Sequence, residues 1–130
     1  MYAVARRTSG YQHEIKIRDH TVIADEPPSH GGEDSGPDPQ ELLAASLASC
    51  VAITIEMYAN RKEWDVSGLE VGCEYSPAER GSPTRFEIVL KLPSHLDEEQ
   101  RRRLGVIAAK CPVHRTLEGE VIFEERVEIA

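Results

Sequence analysis

The sequence predicts an α+β domain in which short strands precede and follow two helices. Three observations predict it. Apolar and polar residues alternate near the amino terminus, a long apolar run without glycine or proline begins at Pro39, and two further alternating segments separate this run from a second helical pattern. The order of strands, helix, strands, helix and strand is typical of an α+β domain. A length of 130 residues fits one ordinary domain, so we expect a single domain over residues 1–130.

Residues 2–25 are expected to form short strands separated by tight breaks. His13, Ile15 and Ile17 alternate there with charged side chains, which is the period of a strand. The next segment, residues 26–39, holds four prolines and three glycines and is predicted to be a loop. It is long for a connection in so small a domain, so we expect it to cover a functional site.

A long helix is predicted to begin at Pro39. Asp38 fits the N-cap, and Glu41 stands three residues later, where a capping box requires it. Across residues 42–59 the only strongly polar side chain is Glu56, a pattern typical of a helix that is buried on all sides. A single small domain has little material to surround such a helix, which indicates a homodimer.

The second half of the chain is predicted to contain strands and one further helix. Three segments have strand character: residues 66–75, 84–92 and 120–129. The helix between the last two has Asp97 at its N-cap and Gln100 three residues later. Its apolar face leads to Cys111, where Pro112 is expected to break the helix and residues 113–117 to form a turn.

Composition excludes several classes of protein. A formal net charge of −8 argues against nucleic acid and anionic membranes as partners. The basic run at residues 101–103 has acidic neighbours at helical spacing, which is typical of a solvated face with salt bridges. The amino terminus lacks the apolar core of a signal peptide, and no apolar run reaches about 18 residues. We therefore expect no membrane span and a cytoplasmic location.

Three cysteines without a CxxC pair indicate neither a disulfide framework nor a recognisable zinc motif. Taken alone, Cys50 fits a small buried hydrophobe in the first helix. Cys111 lies at a helix break, where backbone amides of the next turn and Lys110 or Arg115 can lower a thiol pKa. The two thiols meet if the two helices pack antiparallel. Cys73, in a strand without cationic neighbours, is interpreted as structural.

Two segments around these cysteines resemble one protein family. The stretch GPDPQELLAASLASC resembles the signature of the OsmC/Ohr family of thiol peroxidases, and IAAKCPVHRTL is similar to the family's second cysteine segment. The flanking DEPPSHGGEDSGP and YANRKEW resemble one OsmC-like subgroup, so that the likeness runs from about residue 20 to residue 117. It implies an OsmC-like fold, with antiparallel sheets around long central helices in an intertwined homodimer.

The resemblance also implies a chemistry. Cys50 would be the thiolate that attacks an organic hydroperoxide, and Cys111 would form a disulfide with the resulting sulfenic acid, which a dithiol reductant then opens. No cofactor or metal is implied. Residues 26–38 are then expected to lie over or near Cys50.

The family's best-studied members carry an arginine and a glutamate beside the reactive cysteine. Gln40 occupies the position of that glutamate, with Glu41 next to it. Arg18 is the candidate arginine by location, and Arg61 or Arg115 are possible substitutes. This departure leaves a second interpretation open, in which the chain is a non-enzymatic module that binds a small ligand or senses redox state.

Histidine chemistry offers two weaker alternatives. His114 lies close to Cys111 in sequence, so a cysteine hydrolase with Cys50 as nucleophile and His114 as base is conceivable. A second, resolving cysteine has no task in such a reaction. A metal site of Cys50, Cys111 and His114 is supported only by the residue types.

Overall fold

The α+β class predicted from the sequence is confirmed in the computed structural model, which describes residues 1–129. In chain order the elements are β1 (Val4–Ser9), β2 (Gln12–Ile17), β3 (His20–Ala24), α1 (Pro39–Lys62), β4 (Glu70–Ser76), β5 (Arg85–Lys91), α2 (Glu98–Ala108) and α3 (Pro112–Glu118). The strands form two small sheets, one in the order β1-β2-β3 and the other pairing β4 with β5. The described chain divides into two compact units, residues 1–45 with 75–86, and residues 46–74 with the chain from 87 onward.

The three-stranded sheet of the first unit is an antiparallel meander. Ile15 of β2 pairs with Ala5 on one side and with Val22 on the other. A two-residue turn joins β2 to β3, and its first residue, Arg18, has a φ of 53°, in the left-handed region. The short strands and breaks predicted over residues 2–25 are therefore present.

The loop after β3 is ordered by a single buried carboxylate. Asp25 is only 3% exposed, and it accepts four hydrogen bonds: from the amides of Glu26 (2.7 Å), Glu33 (3.3 Å) and Ser35 (3.1 Å), and from the Ser35 hydroxyl (2.6 Å). The hydroxyl bond is the largest of the effects that lower the Asp25 pKa. The loop contains one short 3₁₀ turn, Pro28–His30, and otherwise lacks regular structure as predicted.

Two glycines of this loop are required by close backbone approach. A Cβ atom on Gly32 would lie 1.9 Å from the carbonyl oxygen of Glu26, and one on Gly36 would lie 2.4 Å from that of Ile23. No side chain fits at either distance. The glycines thus let the loop fold against the end of β3, although the sequence pattern alone predicted only that the segment is irregular.

Helix α1 begins as predicted. The Asp38 carboxylate accepts the Glu41 amide at 2.8 Å, and the Glu41 carboxylate accepts the Asp38 amide at 2.9 Å, which completes the capping box. The expectation that this helix is buried on all sides is not met within one chain. Only one stripe is fully buried, formed by Leu47, Val51, Ile55 and Ala59, whereas Ile53 and Met57 keep half or more of their surface exposed.

By length and composition, α1 also meets the requirements of a membrane span, with a mean hydropathy of 1.7 over its best window. The expectation that no segment reaches this threshold was therefore wrong. Alanine and serine interrupt the run of large apolar side chains in α1, but they add no charge, so the mean hydropathy of the segment stays high. The central helix of a soluble protein passes the same test, so length and composition do not decide between the two.

Three predictions for the second half need correction. Strand β4 begins at Glu70 rather than at residue 66, because residues 66–69 form a turn closed by the Leu69 amide, which donates to the Val66 carbonyl at 3.0 Å. Residues 112–118 form the short helix α3 instead of a turn. Pro112 occupies the first position of this helix, where the fixed φ of proline favours helix formation. Residues 120–129 form no strand in the single chain, because no neighbouring strand pairs with them.

We expect Asp25→Asn to lower the melting temperature at neutral pH. The amide cannot carry the charge that the four donors favour. Because the pKa of Asp25 is lowered in the folded state, this stabilisation is present above the ordinary carboxyl range and is lost as the pH falls through the lowered pKa. The difference in melting temperature between the two proteins should therefore shrink as the pH falls, as followed by circular dichroism.

Glu33→Gln is the matched control, since Glu33 is an exposed carboxylate of the same loop. It should leave the melting temperature nearly unchanged. A difference between wild type and Asp25→Asn that is equal at all pH values would contradict the assigned role of Asp25.

Candidate functional site

The two helical cysteines lie at different depths in the second unit. Cys50 is a half-buried residue in the middle of α1, next to the fully buried Val51. Cys111 is fully buried and occupies the N-cap of α3, with an extended backbone at φ −65° and ψ 144°. Pro112 follows at the first helical position, where its fixed φ favours the start of a helix.

The first turn of α3 donates an amide to each sulfur. The His114 amide donates to Cys111 Sγ at 3.3 Å, and the Val113 amide donates to Cys50 Sγ at 3.5 Å. Besides burial, the proximity of Cys50 raises the pKa of the Cys111 thiol. The structure therefore brings together two thiols that are 61 residues apart in sequence, under amides that lack partners inside their own helix.

The environment of Cys111 favours the protonated thiol. Burial raises the pKa of Cys111, and the neighbouring Cys50 raises it further. The amides of His114 and Val113 act in the opposite direction, but the net effect is a raised pKa. Cys111 is thus held as a neutral thiol at neutral pH, and the half-buried Cys50 is its neighbour.

His114 faces the far end of its own helix. Its ring nitrogen Nδ1 lies beside a carboxylate oxygen of Glu118, one helical turn later, without forming a hydrogen bond to it. Its backbone amide, rather than its ring, contacts the Cys111 sulfur. The contact between His114 and the thiols is therefore made by the main chain.

Two other predicted site residues, Arg18 and Glu41, belong to the first unit. Arg18 is exposed in the turn between β2 and β3. The carboxylate of Glu41 accepts the Asp38 amide in the capping box, and Gln40 is exposed beside it. The capping role of Glu41 was predicted, and the capping hydrogen bond already occupies one of the two carboxylate oxygens of Glu41.

The substitutes considered for the family's arginine lie in the second unit. Arg61 lies over the ring of Tyr58, with its guanidinium carbon 5.9 Å from the ring centroid. Arg115 is exposed on α3. Cys73 is half-buried in β4, and burial followed by the charge of Glu74 raises its pKa. Among residues 1–129, no three His, Cys, Asp or Glu side chains are grouped so that they could hold a metal ion.

The contact between the Val113 amide and Cys50 is not predicted by the sequence. The sequence pattern predicts that amides of the turn after Cys111 influence that thiol, but it also predicts a helix end at Pro112 and a turn over residues 113–117. The signal was available, because a proline directly after an extended residue is common at the first position of a helix.

Comparison with known proteins identifies the family to which the chain belongs. The family model for OsmC-like proteins matches residues 32–126, which is well over half of the chain. The chain therefore belongs to the OsmC-like protein family, and the resemblance inferred from the cysteine segments is confirmed. No curated protein matches the chain.

Solved structures of similar fold come from several bacteria. A protein of Psychrobacter arcticus 273-4, named for osmotic stress induction and a detoxification response, aligns with a TM-score of 0.76 at 24% identity, covering 88% of this chain and 85% of that one. An OsmC-like protein of Mycoplasma pneumoniae gives 0.76 at 19% identity, with coverages of 91% and 86%. The organic hydroperoxide resistance protein OhrB of Bacillus subtilis gives 0.60 at 21%, with 92% of each chain covered. At these identities the comparison shows the shared fold.

We expect the three thiols of the reduced protein to differ in their reactivity toward iodoacetamide. At pH 7, Cys50 should be alkylated first and Cys111 last, because Cys111 is fully buried and its pKa is raised. The rate at Cys111 should increase with pH as the thiol ionises. Peptide mass mapping of samples quenched at intervals measures this order.

Cys73 provides an internal comparison, since its pKa is also raised but it is only half-buried. If Cys111 reacts before Cys50 at pH 7, the assigned difference between their environments is incorrect.

Proposed function

We propose that this protein reduces organic hydroperoxides to alcohols, with Cys50 as the attacking thiolate and Cys111 as the resolving thiol. The observation that carries the proposal is the pairing of the two sulfurs at the start of α3, each with its own amide donor. The family includes organic hydroperoxide resistance proteins, which supports the same chemistry. An oxidative-stress defence role follows from this activity.

In the first step the Cys50 thiolate attacks the terminal oxygen of the hydroperoxide. The O–O bond breaks, the oxygen that was attacked stays on sulfur as a sulfenic acid, and the alkoxide takes up a proton to leave as an alcohol. A thiolate is required for this step, and the Val113 amide donates a hydrogen bond to Cys50 Sγ at 3.5 Å. The reaction consumes one hydroperoxide and oxidises one thiol.

In the second step Cys111 attacks the sulfur of the sulfenic acid. An S–S bond forms, and the sulfenic hydroxyl leaves as water with the thiol proton. The assignment of Cys111 as resolving residue is supported by its burial and raised pKa, which protect it from direct oxidation and suit a thiol that reacts only after Cys50 has been oxidised. A dithiol reductant then restores both thiols and is itself oxidised to a disulfide.

Arg18 and Glu41 are the proposed assisting residues. They are the candidates by family position, although Gln40 stands where the family's glutamate is expected. An arginine near the thiolate would stabilise its negative charge, and a carboxylate would orient that arginine. Arg61 and Arg115 are less suitable, because Arg61 already lies over Tyr58 and Arg115 is exposed on α3.

We further propose that residues 1–130 act as one cytoplasmic OsmC-like domain within a homodimer. In the single chain, Ile53 and Met57 of α1 leave a large apolar area exposed. Residues 120–129 add Phe123, Val127 and Ile129, which are 81%, 98% and 100% exposed. Apolar side chains that alternate along an unpaired segment are typical of a strand whose partner belongs to another chain. A second copy would cover both surfaces.

The chemical prediction concerns the three cysteines. Cys50→Ser should lower hydroperoxide reduction by about three orders of magnitude or more, because a serine hydroxyl is not ionised at neutral pH. Cys111→Ser should react once and then accumulate sulfinic acid at Cys50 with excess peroxide, a mass gain of two oxygens. Cumene hydroperoxide consumption with a dithiol, followed by intact mass, measures both effects.

Cys73→Ser is the matched control and should retain nearly the wild-type rate. If it is instead the variant that loses activity, the assignment of Cys50 is wrong. Loss of two thiols in the wild type per equivalent of cumene hydroperoxide supports the reductase. Unchanged thiols support the non-enzymatic binding module, and ester turnover without thiol loss supports a hydrolase.

The assembly prediction concerns Phe123. Sedimentation velocity at micromolar concentration should show a wild-type dimer, and Phe123→Asp should shift it toward monomer. Burial of one phenylalanine side chain contributes about 2 kcal/mol to the stability of an interface. The substitution in each copy should therefore weaken dimerisation by at least about tenfold. Glu124→Gln, at the next position, is the control and should remain dimeric. A stable folded wild-type monomer would contradict the homodimer.

A further inference from the structure

We propose that the carboxyl-terminal end of α1, together with α2, forms a binding site for a phosphate-type oxyanion centred on Tyr58. Nothing in the thiol chemistry requires this site, and its test is independent of that chemistry. The site lies entirely within the second unit, on residues that the hydroperoxide mechanism does not use.

Three cationic side chains converge on one aromatic ring. The guanidinium carbons of Arg61 and Arg103 lie 5.9 Å and 5.5 Å from the centroid of Tyr58, and the ammonium nitrogen of Lys62 lies 5.7 Å from it. Arg61 and Lys62 follow Tyr58 by three and four residues, so helical spacing places them beside it. Arg103 comes from α2, 45 residues away in sequence.

The Tyr58 hydroxyl holds Arg103 and remains available as a donor. Arg103 Nε donates to this hydroxyl at 2.9 Å, so the phenol oxygen acts as the acceptor and its own proton is directed elsewhere. This bond, followed by the charges of the neighbouring cations, lowers the Tyr58 pKa despite partial burial. The guanidinium is thereby held in place, and among residues 1–129 no hydrogen bond engages its terminal N–H groups.

Within residues 1–129, none of the three cations takes part in an ion pair with a carboxylate. This is unexpected in a chain of net charge −8, in which Lys91 pairs with Glu70 and Arg102 pairs with Glu99. Carboxylates are nearby: those of Glu56, Glu63 and Asp65 line an adjoining cavity of about 700 Å³. Among residues 1–129 the three cations therefore make no direct contact with a carboxylate, although the charge of Glu99 acts on Arg103 from one helical turn away.

Stabilisation of the helix end explains only part of this arrangement. Cations in the last turn of a helix interact favourably with its free carbonyl groups, which accounts for Arg61 and Lys62. It does not account for Arg103, which α2 contributes to the same ring. Cations from two helices that gather around one ring, with a phenol hydroxyl bound to one of them, offer several donors to an anion.

The donor set fits a phosphate group better than a carboxylate. One guanidinium satisfies a carboxylate through two parallel hydrogen bonds, whereas a phosphate has more acceptor oxygens and up to two negative charges. Two guanidinium groups, one ammonium and one hydroxyl match that charge and number of acceptors. The phosphate can be free or carried by a monoester, since both present the same group.

Trp64 provides a direct measurement, because it is the only tryptophan and its ring packs edge-on against Tyr58 at a centroid distance of 5.8 Å. We expect inorganic phosphate, added at constant ionic strength and pH, to change Trp64 fluorescence with a saturable dependence. Arg103→Gln should weaken binding by about tenfold or more. Lys62→Gln should weaken it several-fold, and it alters only an exposed side chain, so its fold should be intact.

Arg80→Gln is the matched control, an exposed arginine remote in sequence, and should bind as the wild type does. Cys50→Ser should also bind normally, which separates this site from the proposed peroxidase activity. Tighter binding of phenyl phosphate than of inorganic phosphate would identify a monoester as the preferred source, and the reverse would identify free phosphate. A fluorescence change that is linear, that sodium chloride or acetate reproduces, or that persists in both Arg103→Gln and Lys62→Gln would overturn the proposal.

Discussion

The candidate site depends on the first turn of α3. The amides at the start of a helix have no carbonyl partners within it, and here two of them are taken up by sulfur atoms. One sulfur belongs to the N-cap residue itself, and the other comes from the middle of α1. The same pair of hydrogen bonds therefore completes the helix and positions the thiols. A change that disrupts this turn would alter both fold and site, because the same two amides start the helix and contact the two sulfurs.

Burial then makes the two thiols unequal. Cys111 is fully enclosed and its pKa is raised, while Cys50 is half-buried and receives an amide from a neighbouring helix. Equal thiols would compete for the same oxidant, whereas unequal ones favour a fixed order of reaction. Cys73 shows what burial produces without such a neighbour: its pKa is raised, and no second thiol or donor accompanies it. The contrast between the cysteines thus comes from position rather than from residue type.

Capping patterns in the sequence predicted where the helices begin. They did not predict contacts between residues that are far apart in the chain. Asp38 and Asp97 each form the capping box that their spacing indicated, since a capping box involves only four consecutive residues. The basic run at 101–103 was predicted to be a solvated face, yet Arg103 is bound to Tyr58, 45 residues away. Sequence spacing along α2 indicates the neighbours of Arg103 on its own helix but not those on another. The pairing of Cys50 with Cys111 was expected only on condition that the helices pack together.

The strand predicted at residues 120–129 illustrates a different limit. Its alternating apolar residues are suited to a sheet, but a strand exists only when another strand pairs with it. The exposed side of α1 has the same requirement, because Ile53 and Met57 lack covering side chains in one chain. In the proposed homodimer both needs would be met together. Since α1 also carries Cys50, the surface that a second copy would cover in the proposed homodimer lies on the same helix as one of the two paired thiols. A second copy would therefore contact the element on which the proposed peroxidase chemistry depends.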